Sequence, residues 1–421
     1  MYFGAAKKKI TPPLGTWMAG YGFRDRPCER ISEDLYIRAQ AEITDGARLV
    51  FIYADLERWD NGLVAAIREK LAEGKGLKEN EILFMASHSH SGPVTGHDGL
   101  IVSDDRLSPE YDAFVIDTAV RTACEAMEHI EEVSITRYNG KCMQNVFRRV
   151  WEDGHTIMAP NYDVPVDRNL TVIVMRNAAG SVRGMQVHYP CHANLANGYD
   201  IHPDYPGIAL RMLDEKYPGS IALFMQGCTG DIRPNSVCGD RFVPAQYDKV
   251  LAFAERFVGT VLQTMQGHAI AVGNHFRAGL ERFSLPLEGV LSEEELQELS
   301  VTGTEFEKKW ACAVLQRGNQ PTETMELMTV KYSEGLKFFA INGEVVQEYA
   351  AFARTLDSDY VTIAYANGMI GYIPTAKEIV EGGYESIESP KWFALAGTFD
   401  MNIERIIKKK MTEKHLQFKN N

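Results

Sequence analysis

The chain has 421 residues, 45% of them hydrophobic and 24% charged, the balance of an ordinary folded protein with enough length for a large core. Its formal net charge of −13 argues against nucleic acid or an anionic membrane surface as a partner. No apolar run approaches a membrane span, and Met1-Tyr-Phe-Gly-Ala-Ala-Lys-Lys-Lys lacks the apolar stretch of a secretory signal, so a cytoplasmic location is expected.

In chain order, residues 47–54 read as a buried strand and 61–73 as a helix with Leu63, Val64, Ile67 and Leu71 on one stripe. Then comes Ile82-Leu-Phe-Met-Ala-Ser-His-Ser-His-Ser-Gly-Pro93, an apolar strand over about 81–86 that ends in two histidines. If the strand continues, His88 and His90 leave the same face and form half of a metal site, zinc being the commonest occupant. The alternative is a polar pair closing a strand at the surface. Ser108-Pro109-Glu110 starts a helix that runs to Met127, with a Ser cap and Pro at its first position.

Residues 169–176 and 183–188 read as strands, and 220–225 as a strand entering the Gly-rich loop 227–235. Helices follow over 245–263 and 292–299, the second with a Ser292/Glu295 capping box. Strands are expected near 327–333 and 336–341, a helix from Glu344 to Arg354, and a strand from Tyr360 to Ala366. Lys408-Lys-Lys410 reads as a solvated helix end. There is no repeat or linker, so one domain over 1–421 is expected. Strands interleaved with helices indicate an α/β, or mixed α+β, architecture of β-sheets flanked by helices. Seven scattered cysteines without a Cys-x-x-Cys pair suit reduced thiols.

Six of the eleven histidines fall in 88–97 and 188–202, a clustering that suits ligands and proton carriers. The stretches His188-Tyr-Pro-Cys-His192, Gly230-Asp-Ile-Arg-Pro-Asn235, Asn342-Gly-Glu344, Gly371-Tyr-Ile-Pro-Thr375 and Gly382-Gly-Tyr384 are each unremarkable alone. Together with Ile10-Thr-Pro-Pro, Met18-Ala-Gly-Tyr21, Ser87-His-Ser-His-Ser-Gly-Pro93 and Pro203-Asp-Tyr-Pro-Gly207, and in this order, they resemble the neutral (alkaline) ceramidase family of zinc-dependent amide hydrolases.

The resemblance implies that His88, His192, Glu344 and Tyr384 hold Zn2+, and that His90 and Tyr372 face the substrate carbonyl or the developing oxyanion. The choice of His192 over His188 rests on the Cys-His step leading to Asp-Tyr-Pro-Gly. Arg149 is the match to a substrate-site arginine, with Arg148 beside it left open. Asp204 and Asp231 would orient the ligating histidines or, equally, act as structural caps.

Two departures bear on substrate. Where the family carries a serine in Gly-Asp-x-Ser-Pro-Asn, this chain has Arg233, which excludes a covalent serine route there and suits a carboxylate or phosphate. The family's C-terminal β-sandwich and secretion signal are also not expected. The expectation is therefore hydrolysis of a C–N bond in a small, soluble, anionic molecule rather than in a membrane lipid. An ester or lactone hydrolase using the same site, and a non-catalytic binder of an anionic ligand, are the alternatives. A homo-oligomer is compatible with the sequence.

Overall fold

The computed structural model describes residues 1–96 and 106–420, which leaves His97 outside the description. The architecture is mixed α/β. A nine-stranded sheet runs in the order Ile221–Gln226, Val182–Tyr189, Asn169–Asn177, Glu131–Lys141, Tyr2–Lys9, Tyr36–Thr44, Ala47–Ala54, Ile82–Ala86, with Ala269–Val272 paired to Glu131–Lys141. A five-stranded sheet runs Tyr360–Ile363, Lys337–Ile341, Thr322–Tyr332, Phe276–Glu288, Thr398–Phe399.

Both faces of the central strands are covered. Along Ala47–Ala54, Val50, Ile52 and Ala54 enter one core while Leu49, Phe51 and Tyr53 enter the other. That double burial is why the segment is a continuous apolar run with no polar alternation. Helices Asn61–Lys75 and Pro109–Glu128 contribute to the first core, and Asp204–Lys216 and Tyr247–Thr264 to the second. Ser108 caps its helix through Tyr111 N, and Ser292 and Glu295 form their capping box.

Pairing is mostly antiparallel, but within the two large sheets three pairs are parallel: Ala47–Ala54 with Ile82–Ala86, Val182–Tyr189 with Ile221–Gln226, and Lys337–Ile341 with Tyr360–Ile363. Their carboxyl ends meet. The segment 364–367 stitches them together: Ala86 N donates to Tyr365 O at 3.3 Å, Ala364 N to Gln226 O at 3.0 Å and Ala366 N to Ile341 O at 3.1 Å. Loops leaving parallel strands at their carboxyl ends are where ligand crevices form in such sheets.

Several expectations need correction. The strand at 360 stops at Ile363, because 364–367 leaves to join three strand ends, with Tyr365 and Asn367 at positive φ. The helix expected from Glu344 begins at Gln347, because Glu344–Val345 pairs instead with Tyr372–Ile373. Lys408–Lys410 lies inside the helix Ile403–Asn420, where Lys408 meets Glu404 at 2.6 Å and Lys410 meets Glu281 at 2.7 Å. No helix among the described residues is long and apolar enough to cross a membrane.

Candidate active site

The apolar strand ends at Ala86, and Ser87 to Ser91 is loop. His88 sits at φ 59, in the left-handed region, so strand alternation is not what brings it beside His90. Such a backbone persists only where its surroundings over-determine it. Here Ser87 N donates to Ala54 O at 3.0 Å, Ser89 N to Leu56 O at 3.3 Å and His90 N to Ala193 O at 3.0 Å. Gly20 closes the other side of His90: it lies at φ +92, and a Cβ there would stand 2.5 Å from His90 Cγ.

His192 arrives from the end of the neighbouring parallel pair. The Nε2 atoms of the three imidazoles converge, His90 lying 3.2 Å from His88 and 3.0 Å from His192. His88 Nδ1 lies 2.7 Å from Glu57 O, and His192 Nδ1 lies 3.3 Å from Thr229 O. A carbonyl only accepts, so each of these Nδ1 atoms carries the proton and each Nε2 turns a lone pair inward. Glu344 Oε1 is 3.3 Å from His88 Nε2. His90 Nδ1, by contrast, is buried and without a hydrogen-bond partner.

Burial, aided by the charge on His88, pushes His90 and His192 well below the usual histidine range. Burial works against a charge on His88 too, but the Glu344 and Glu57 carboxylates outweigh it and hold its pKa above the ordinary value. Inward lone pairs on His88 and His192 beside a carboxylate oxygen in a buried pocket call for a cation between them. Nitrogen donors with one carboxylate are a set that zinc accepts. Among the described residues, His88, His90 and His192, and also Glu57, His88 and Glu344, are close enough to share an ion.

The phenols come next. Glu344 and Tyr372 are register partners on adjacent parallel strands, and Tyr372 is buried. Tyr384 stands edge-on to Tyr372, ring centroids 5.5 Å apart, and is half-buried. Tyr365, which the sequence did not single out, stacks on His88 at 4.1 Å. Its hydroxyl lies 2.6 Å from Thr229 Oγ1 and 3.3 Å from Glu344 Oε2. Burial first, and then the Glu344 charge, pushes all three phenols above the usual tyrosine range.

Of the two adjacent arginines, Arg148 lines the cavity and Arg149 does not. Arg148 lies over the Tyr372 ring at 5.4 Å and donates from Nε to Glu385 Oε1 at 2.8 Å. Arg149 is turned into a cage of Glu385, Glu378, Glu381 and the Gly382 carbonyl. Asp204 and Asp231 do not touch the histidine cluster. Asp204 accepts from Leu195 N at 3.1 Å and Tyr205 N at 2.6 Å, and Asp231 accepts from Gln347 N at 2.9 Å, so both brace loops. The groups that orient His88 and His192 are main-chain carbonyls. His188 points elsewhere, its Nε2 3.0 Å from Thr362 O.

The cavity in front of the cluster measures about 610 Å³ and includes His90, His192, Glu344, Tyr372, Tyr384 and Arg233 in its wall. Its outer part is apolar, with Phe23, Trp392 and Phe393. That is the shape and lining of a small-molecule site.

A family model described as neutral/alkaline non-lysosomal ceramidase, N-terminal, matches residues 2–253. The crystal structure of neutral ceramidase from Pseudomonas aeruginosa superposes with a TM-score of 0.78 at 16% identity, over 100% of this chain and 74% of that one. A ceramidase in complex with C2 gives a TM-score of 0.78 at 15% identity, over 100% of this chain and 75% of that one. At those identities the likeness is one of fold. A comparison with curated proteins finds no match.

Proposed function

The chain belongs to the neutral/alkaline non-lysosomal ceramidase family, a family of amide-bond hydrolases, and from that premise we propose that it cleaves the C–N bond of a small soluble amide at a zinc site. The observation that carries this is the convergence of three buried imidazoles, His90 Nε2 lying 3.2 Å from His88 Nε2 and 3.0 Å from His192 Nε2, with Glu344 Oε1 3.3 Å from His88 Nε2.

His88 and His192 are the imidazole ligands, because each has its Nδ1 tied to a main-chain carbonyl, the arrangement that fixes a ligating tautomer. His90 lacks that anchor and borders the cavity, so it faces the substrate. Glu344 supplies the carboxylate. For the phenol, we assign the opposite order to that implied by the sequence resemblance, on the strength of the pairing of Glu344 with Tyr372: Tyr372 completes the ligand set, and Tyr384, in the cavity wall, meets the substrate. Bound there, zinc would polarise the amide carbonyl and bring the ionisation of water towards neutral pH.

The remaining work falls to side chains of this chain. Tyr384, held protonated by burial, is a neutral donor for the carbonyl oxygen as negative charge develops on it. His90, held neutral by burial, can take up a proton and pass it to the leaving nitrogen. Hydrolysis joins the oxygen of water to the acyl carbon and breaks the C–N bond, and the amine leaves with that proton. Phe23, Trp392 and Phe393 limit the water that reaches the site. The scattered cysteines, unpaired in the fold, and the negative charge support a cytoplasmic setting with no membrane partner, which cell fractionation tests.

Metal analysis combined with a panel of matched amides and esters tests this function. The expected result is about one zinc per chain and turnover of amides that His192→Ala abolishes. Turnover of esters alone would make it an esterase of the same site. Protein that binds no metal and turns over neither class would overturn the proposal.

A further inference from the structure

Arg233 lies in the cavity wall and makes no ion pair among the described residues. Its Nη1 points at the Met158 sulfur at 3.7 Å, its guanidinium stands 4.6 Å over the Phe242 ring, and its Nε is shut off from solvent with no hydrogen-bond partner. Arginine presents a planar fork suited to two oxygens, and a sulfur and a ring face satisfy little of it. A second orphaned donor borders the same cavity: Arg148 Nη2 is buried without a partner, although Arg148 Nε is engaged by Glu385.

Charge around the cavity points the same way. Of the four guanidinium groups that line it, Arg58 stands 3.9 Å from Glu57 and 3.8 Å from Asp60, and Arg148 is 2.8 Å from Glu385, whereas Arg106 and Arg233 make no ion pair among the described residues; the lining carboxylates are Glu57 and Glu344. Both carboxylates lie at the histidine cluster, Glu344 Oε1 being 3.3 Å from His88 Nε2 and Glu57 Oε1 3.8 Å from His88 Nδ1. Two guanidinium groups without a carboxylate partner in one cavity of a chain of net charge −13 are a local arrangement and not a consequence of composition. Buried donors left without partners cost free energy unless something else meets them. The Arg233 guanidinium, met only by a sulfur and a ring face, keeps a planar fork that matches the two oxygens of a carboxylate.

We propose that the substrate is a carboxylated amide of the N-acyl amino acid class, its carboxylate held by Arg233 and Arg148 and its apolar arm lying against Phe23, Trp392 and Phe393. This rests on the proposed amide hydrolysis at the same site and adds the substrate class to it.

The test measures binding and turnover separately, on zinc-loaded full-length protein, with N-octanoylglycine and its neutral isostere N-octanoylglycinamide. Calorimetry is expected to show the carboxylate binding about 100-fold more tightly than the neutral amide. In Arg233→Met, whose side chain suits the neighbouring Met158 and Phe242, that preference should fall to within a few-fold of unity. Arg233→Lys, which keeps charge but loses the fork, should retain part of it. Equal affinities in the wild type, an unchanged preference in Arg233→Met, or binding of neither compound would overturn the proposal. Tight, Arg233-dependent binding of the carboxylate without hydrolysis would leave the anion site standing and count against the hydrolase function alone.

Discussion

The two walls of the cavity are built on opposite terms. On the inner wall, the side chains proposed to hold the ion are tied down from behind. His88 and His192 are fixed by carbonyls from other loops, and Glu344 is fixed by its strand pairing and by Tyr365. On the facing wall, donors go unmatched: His90 Nδ1, Arg148 Nη2 and Arg233 Nε are buried without a hydrogen-bond partner. The difference separates two jobs. Groups that must keep one geometry whether or not ligand is present are over-determined by the backbone, and groups that must select a ligand keep unspent hydrogen-bonding capacity.

The largest effect should follow from breaking the inner wall. His88→Ala and His192→Ala should each lower turnover by at least about 10³-fold, read as kcat/KM on an amide substrate. An equally large loss from Arg233→Met would erase the distinction between the walls.

Next is the support beneath the facing wall. Glu385 joins both Arg148 and Arg149, with the Arg148 and Glu385 side chains only 2% exposed. Glu385→Ala strands the buried Arg148 guanidinium, takes one of several partners from Arg149, and should cost about 3–5 kcal/mol in urea denaturation. A loss under about 1 kcal/mol would show that the network is not what holds Arg148 in place.

Third, Tyr384→Phe should lower kcat by about 10- to 100-fold while zinc content stays unchanged. Tyr372→Phe should weaken zinc retention during dialysis. The reverse pattern would return the tyrosines to the order that the sequence resemblance implied.

The smallest effect lies outside the cavity, at a buried carboxyl that no cation meets. Glu42 is buried and accepts from the Tyr332 hydroxyl at 2.6 Å and from Gln186 Nε2 at 3.4 Å. Burial outweighs both bonds and raises the Glu42 pKa from 4.5 to about 7. A raised carboxyl contributes stability that is full below its unfolded pKa and is lost as pH rises through about 7. Glu42→Gln, which donates at any pH, should therefore match the wild type near pH 4.5 and be more stable by about 1–3 kcal/mol at pH 8.5. Equal melting curves at pH 8.5 would contradict it.

Much of this was legible in the sequence, for identifiable reasons. The apolar run before His88, the Ser108 and Ser292 caps and the order of the motifs are local signals, and local structure follows them. What escaped depends on contacts distant in sequence. Tyr365 enters the site because 364–367 joins strands from three parts of the chain, and nothing in Ala364-Tyr-Ala366 announces that. The carbonyls of Glu57 and Thr229 orient the histidines, and a main-chain acceptor has no residue signature. Carboxylates were expected in that role, but Asp204 and Asp231 serve loops. Arg148 and Arg149 differ by one step on an irregular strand pair, so which one faces the cavity is a matter of register.

The zinc content of three purified variants tests the division between the two walls most directly. His88→Ala and His192→Ala should each lose bound zinc, while His90→Ala should retain about one equivalent and lose rate. If His90→Ala loses zinc to the same extent as the other two, the three imidazoles form one equivalent set, and the division between anchored ligands and an unanchored substrate-facing histidine is wrong.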